Sequence, residues 1–177
     1  MFLRIINSCN SCKTGTRYGI IDYMEKMAMK LTKDIWNQQS KVVIDKLRSV
    51  GYSVSEYSDA DDRVDFSEAR VHINSRCHPE TRFYTLLHEY GHVDICVHSA
   101  DQFEEDHPLY YRTSDGRTER SHAGRVSILA EEIEAWKRGR WFARKAGLKI
   151  NESKYDKHMT DALMSYINWA ADKPQEK

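Results

Sequence analysis

The 177-residue chain has no excess of either charge: 27 Lys and Arg balance 27 Asp and Glu. That balance argues against a general nucleic-acid or membrane-surface binder, which needs a net positive field, though it leaves room for a local basic patch. Cysteine is scarce. Cys9, Cys12, Cys77 and Cys96 are too few to brace a chain of this length with disulfides. Cys9 and Cys12 make one C-x-x-C, but no second pair follows to complete a zinc ribbon and no βαβ pattern follows to suggest a redox fold. They read as reduced surface thiols. Long hydrophobic runs are missing as well. The N-terminal run of Phe2 to Ile6 is broken by Arg4, too short for a signal-peptide core. No later stretch approaches the ~20 apolar residues of a membrane helix. These absences predict a cytoplasmic protein, and the length suits one globular domain over residues 1–177.

What is present is a sequence of short alternating and helical patterns. Phe2–Ile6 reads as a short strand, residues 7–19 as a loop, and Ile20–Val50 as a helix closed by Gly51. Residues 52–57, 63–66 and 69–73 read as strands, with Val71 and Ile73 alternating with His72 and Asn74. Pro79 opens a helix that runs to about Val97. Residues 98–125 read as a long polar loop, followed by helices over 125–146 and 154–171. The pattern predicts an α+β fold, in which a small, mostly antiparallel sheet packs against the helix begun at Pro79 and further helices cover the other faces.

That helix carries His88-Glu89-Tyr90-Gly91-His92. Residues four apart lie one turn apart on the same face, so His88 and His92 present two imidazoles to one point, as a Zn2+ ion requires. Glu89 sits beside that face, placed to act as a general base toward water without being a ligand. A catalytic zinc needs a third protein ligand and an open fourth position. The helix containing Glu131, Glu132 and Glu134 offers carboxylates, and spacing alone does not separate them. Glu132 shares a face with Ala135, Trp136 and Gly139, which reads as packed. Glu131 aligns with Glu134 and Arg138, which reads as solvated. His98, six residues after His92, is a rival, but Ile95 stands where that motif needs a glycine to leave the helix with positive φ.

The motif and its order resemble the gluzincin metallopeptidases, especially the small ImmA/IrrE-like group of phages and mobile elements. Those proteins place short strands before H-E-x-G-H and a helix with E-x-x-A-[DN] after it. Here the match is Phe83 to His92, then Glu132-Ile-Glu-Ala135-Trp136, within a motif core of about residues 52–147. The resemblance implies Glu132 as third ligand beside His88 and His92, Glu89 as the catalytic base, and a zinc peptidase acting on an intracellular protein or peptide. Trp136 departs from the pattern, standing where the family has Asp or Asn, so whatever orients the ligands must be built differently. Tyr110, Tyr111 and His122 are candidates to stabilise an oxyanion. Cys96 is read as a small hydrophobe near the metal-facing stripe. The alternative function is a zinc-containing regulatory or binding module, closed by a fourth ligand such as Cys96 or His98. A third reading attaches the basic run Lys137, Arg138, Arg140, Arg144 and Lys145 to nucleic acid, although the helix C-terminus accounts for part of that run.

Overall fold

The computed structural model describes residues 15–59, 61–108 and 121–172. The expected strand at Phe2–Ile6, the Cys9/Cys12 pair, and Tyr110 and Tyr111 lie outside them. The elements run α1 (Gly15–Ser49), β1 (Ser53–Tyr57), β2 (Arg63–Asp65), β3 (Arg70–Asn74), α2 (Pro79–His98), α3 (Ala100–Asp106), α4 (His122–Lys145) and α5 (Glu152–Ala171). This is an α+β protein. No helix among the described residues is long and apolar enough to cross a membrane.

Two compact units divide the chain, residues 1–35 and 36–177. In the first, the described part is the N-terminal stretch of α1, which exposes Tyr23, Met24 and Met27. It begins at Gly15, inside the segment that reads as a loop. The second unit holds the core, in which Val43 and Leu47 of α1, Val71 and Ile73 of β3, and Phe83 and Leu87 of α2 belong to one buried cluster. At the end of α1, Gly51 takes φ +93° and its N–H donates to the Arg48 carbonyl at 3.0 Å, while the Tyr52 N–H reaches Leu47 O at 3.0 Å.

The sheet order is β1-β3-β2. β2 pairs antiparallel with β3, and β1 pairs parallel with it. The sheet is therefore mixed, and the expectation of a mostly antiparallel sheet needs correction. Side-chain alternation reports which face is buried; it carries no information about the direction of the neighbouring strand. The β2–β3 turn is closed locally by Asp65 Oδ1, which accepts from Ser67 N, Ser67 Oγ and Glu68 N. The β1–β2 connection has to pass β3 before β2 can pair, which leaves β1 on the far edge.

Residues 98–125 are not all loop. Residues 100–106 form α3, anchored by Phe103, which is buried with Ile95 and Ala135. A seven-residue helix with one apolar anchor among acids shows no period to read. α2 starts as its sequence predicts: Pro79 occupies the first turn, and the His78 imidazole accepts from Glu80 N at 3.3 Å.

The crossing of α2 and α4 positions everything that follows. A Cβ on Gly91 would lie 2.0 Å from the Ala135 carbonyl oxygen, and a Cβ on Gly139 would lie 2.2 Å from that of Leu87. Two glycines, one on each helix, therefore let the backbones touch. Nothing larger than hydrogen fits at either point, because backbone atoms cannot swing aside as a flexible side chain can.

Candidate metal centre

The close crossing brings the Glu132 face of α4 onto the His88/His92 face of α2. His88 Nε2 lies 3.1 Å from His92 Nε2 and 3.2 Å from Glu132 Oε2, and His92 Nε2 lies 3.7 Å from the same oxygen. For bonds of about 2.0–2.1 Å, a tetrahedral ion places its ligand atoms roughly 3.3 Å apart, so these separations suit a common cation. Two further observations agree. Glu132 Oε2 is buried and makes no hydrogen bond, although both imidazoles face it. Two ring nitrogens in line with each other need a proton or a cation between them. Left to protons, the cluster places one on His92. Burial alone would depress that imidazole, but the Glu131 and Glu132 carboxylates outweigh burial and hold its pKa well above normal. Burial lowers His88 to about 4, against the pull of Glu132, so it is the neutral imidazole that a metal ligand must be. The two imidazoles hold the Glu132 carboxyl far below the usual carboxylate range, against the effect of burial.

Glu131 corrects its reading as a solvated residue. It is buried at 4% exposure, and its Oε1 pairs with His92 Nδ1. A carboxylate on the second ring nitrogen fixes the tautomer and turns Nε2 toward the ion. His88 has no such partner, and its Nδ1 is buried without a hydrogen bond. Trp136 lies flat on it instead, ring centroids 4.3 Å apart and planes 18° apart. The indole thus holds by packing a ring whose second nitrogen has no hydrogen-bonding partner. Trp136 is itself braced edge-on by Tyr155 and His158 of α5.

Compared with family models, with curated proteins and with solved structures, the chain matches none. Its chemistry is therefore read from the geometry of this donor set.

The other candidates lie elsewhere. His98 is exposed at the end of α2, 3.9 Å from Asp94. Cys96 is exposed, with Tyr52 for a neighbour, and is not the buried small hydrophobe expected. Glu134 binds Arg138, which also holds Asp94. His122 Nδ1 sits 3.2 Å from the Ala170 carbonyl at the far end of α5. Glu89 is buried beside the triad. Burial pushes its carboxyl up to about 8; His92 opposes the rise, and Glu132, Asp62 and Glu131 add to it.

Three side chains around the cleft were not singled out by sequence. Tyr166 of α5 lies close to Glu132, and burial, together with that carboxylate, raises its phenol far above its ordinary pKa. His158 pairs with Thr85 Oγ1 at 3.1 Å. Asp62, held by the Asn74 N–H at 2.6 Å, approaches both His158 and Glu89 closely enough to perturb them. One signal was available: Tyr155, His158, Ala162, Tyr166 and Trp169 recur every three or four residues, a polar-aromatic stripe on the inward face of α5.

Proposed function

We propose that the protein is a zinc-dependent peptidase. The convergence of His88 Nε2, His92 Nε2 and Glu132 Oε2 within 3.1–3.7 Å carries this reading. Two imidazoles and one carboxylate are a donor set suited to Zn2+. Among the described residues no fourth His, Cys, Asp or Glu joins the three, which favours an open centre over a closed structural one. The resemblance to small gluzincins, with a sheet laid against the H-E-x-x-H helix, supports the same reading. The basic run on α4 does not favour a nucleic-acid partner. Arg138 is taken up by Asp94 and Glu134, Arg140 by Asp156 and Arg144 by Glu152.

Zinc held by the triad would supply Lewis acidity toward water and the scissile carbonyl. The remaining steps belong to the chain. Glu89 accepts the proton of the attacking water and delivers it to the departing amine. Its buried setting raises its proton affinity, which suits both halves of that transfer. Tyr166, protonated and close to Glu132, joins the candidates to stabilise the oxyanion; Tyr110 and Tyr111 lie outside the described residues. Glu131 and Trp136 keep the two imidazoles aimed.

Glu89→Gln tests the reading. Zinc content should stay near that of the wild type, while cleavage of candidate intracellular proteins, followed by mass spectrometry, should fall about 10²–10⁴-fold. Equal cleavage by both proteins would sink the catalytic assignment. A separate expectation concerns Glu131→Gln. It should weaken Zn2+ binding roughly 10–100-fold in a chelator competition, because His92 loses the carboxylate that orients it. Unchanged affinity would show that Glu131 does not position the ligand.

A further inference from the structure

The two histidines of the triad are held in different ways. His92 Nδ1 meets the Glu131 carboxylate, and no ring of α5 lies against it among the described residues. His88 Nδ1 is buried with no hydrogen-bond partner, so on that side packing alone opposes rotation of the ring. The packing surface is Trp136, with centroids 4.3 Å apart and planes within 18° of parallel. A flat neighbour keeps the imidazole from tipping only if it is itself fixed. A buried indole N–H ordinarily finds an acceptor. Trp136 Nε1 has none, although the side chain is only 2% exposed. Its orientation therefore depends on the rings around it.

Two of those rings come from one turn of α5. Tyr155 stands at 81° to the indole with centroids 5.4 Å apart, and His158 at 89° and 5.5 Å. Residues three apart share a helix face, so both reach the same neighbour. Each is also tied down by a hydrogen bond. The buried Tyr155 hydroxyl donates to the Trp136 carbonyl at 2.9 Å, which fixes α5 against α4. His158 Nε2 pairs with Thr85 Oγ1 at 3.1 Å, which fixes α5 against α2 within a turn of His88. The stack is thus held at both ends, at the backbone of the indole and on the helix that carries the imidazole.

We propose that Tyr155 and His158 are positioning residues for His88, acting through Trp136, so that the docking of α5 sets how well the metal centre binds its ion. The inference rests on the metal-centre reading and adds a third helix to it. α2 and α4 supply the ligands and the Glu131 carboxylate, and α5 supplies the brace that His88 has in place of a hydrogen bond. Loosening α5 should then act on His88 and leave His92 to Glu131.

The experiment measures zinc affinity of the full chain by chelator competition, which does not need turnover. Trp136→Leu should weaken binding roughly 10–100-fold, the range seen when a ligand loses the group that orients it. His158→Ala should weaken it about tenfold, and His158→Phe, which keeps a ring against the indole, should recover most of that loss. The double variant Trp136→Leu/His158→Ala should bind no more weakly than Trp136→Leu alone, because two residues acting through one contact are not additive. In imidazole NMR spectra of the zinc-loaded protein, His158→Ala should shift or broaden the His88 signals and leave those of His92 in place. His158 is half-buried, so its two variants decide the matter even if Trp136→Leu fails to fold. Wild-type affinity in His158→Ala, a loss that His158→Phe does not restore, or additive losses in the double variant would overturn the positioning role and leave the metal centre intact. If the wild type itself binds no zinc, the metal-centre reading falls and the positioning role falls with it.

Discussion

Gly139→Ala is expected to destabilise the protein by about 3 kcal/mol, the upper end of ordinary overpacking, and to abolish tight zinc binding. The new methyl would lie 2.2 Å from the Leu87 carbonyl oxygen and 2.7 Å from its carbon, both backbone atoms. Neither helix can give without moving as a body, so α2 and α4 must separate by about an ångström to restore van der Waals contact. A metal site tolerates about ±0.2 Å in its bond lengths. The Glu132 oxygen would then no longer share one ion with His88 and His92. At this chain length, 3 kcal/mol corresponds to a fall of roughly 6–12 °C in melting temperature. Gly91→Ala should behave alike, since its methyl would meet Ala135 O at 2.0 Å. Wild-type melting together with wild-type zinc affinity in either variant would refute the close crossing.

Glu132→Ala should lower zinc affinity on the order of a thousandfold. Zinc sites bind with ~10–16 kcal/mol, which divided among their ligands is roughly 4 kcal/mol each, or three factors of ten. The fold should survive, because the change removes a buried carboxylate whose Oε2 makes no hydrogen bond. Without bound metal the variant should melt somewhat lower than the wild type at neutral pH, since the carboxylate that the two imidazoles keep ionised is gone and a cavity takes its place. Zinc titrated into each protein separates the outcomes: the wild type should gain melting temperature at low zinc, and Glu132→Ala should not. If both gain equally, Glu132 is not a ligand. Glu131→Ala would not mimic this result, because its carboxylate holds the far nitrogen of His92.

The contrast between these two neighbouring glutamates shows how far the sequence could be read. Both lie on α4 and both are buried, at 4% and 7% exposure. Helical spacing sets the angle between them but not how α4 is rotated against α2. That rotation follows from the Gly91–Ala135 and Gly139–Leu87 approaches, which join residues more than forty positions apart. Glu131 therefore read as solvent-facing when it is the partner of His92. Trp136 was legible as a departure from a motif, whereas its role as a plate against His88 required the distance between two rings. Tyr166 was hidden for a third reason. It is one of 10 tyrosines, and only the docking of α5 through Tyr84 and Tyr155 places it near Glu132.

By itself the sequence determined the local facts. It determined that the two imidazoles share a helix face, that α2 begins at Pro79, that α1 stops before Gly51, and that Val71 and Ile73 face inward, because each depends on residues within a few positions of one another. The tertiary structure alone decided which carboxylate faces the histidines, which one orients them, that β1 runs parallel to β3, and which tyrosine lies beside Glu132. Those relations depend on how far two helices may approach and how they turn as they do, and the two glycines that set that approach sit on separate helices, one of them outside the motif they serve.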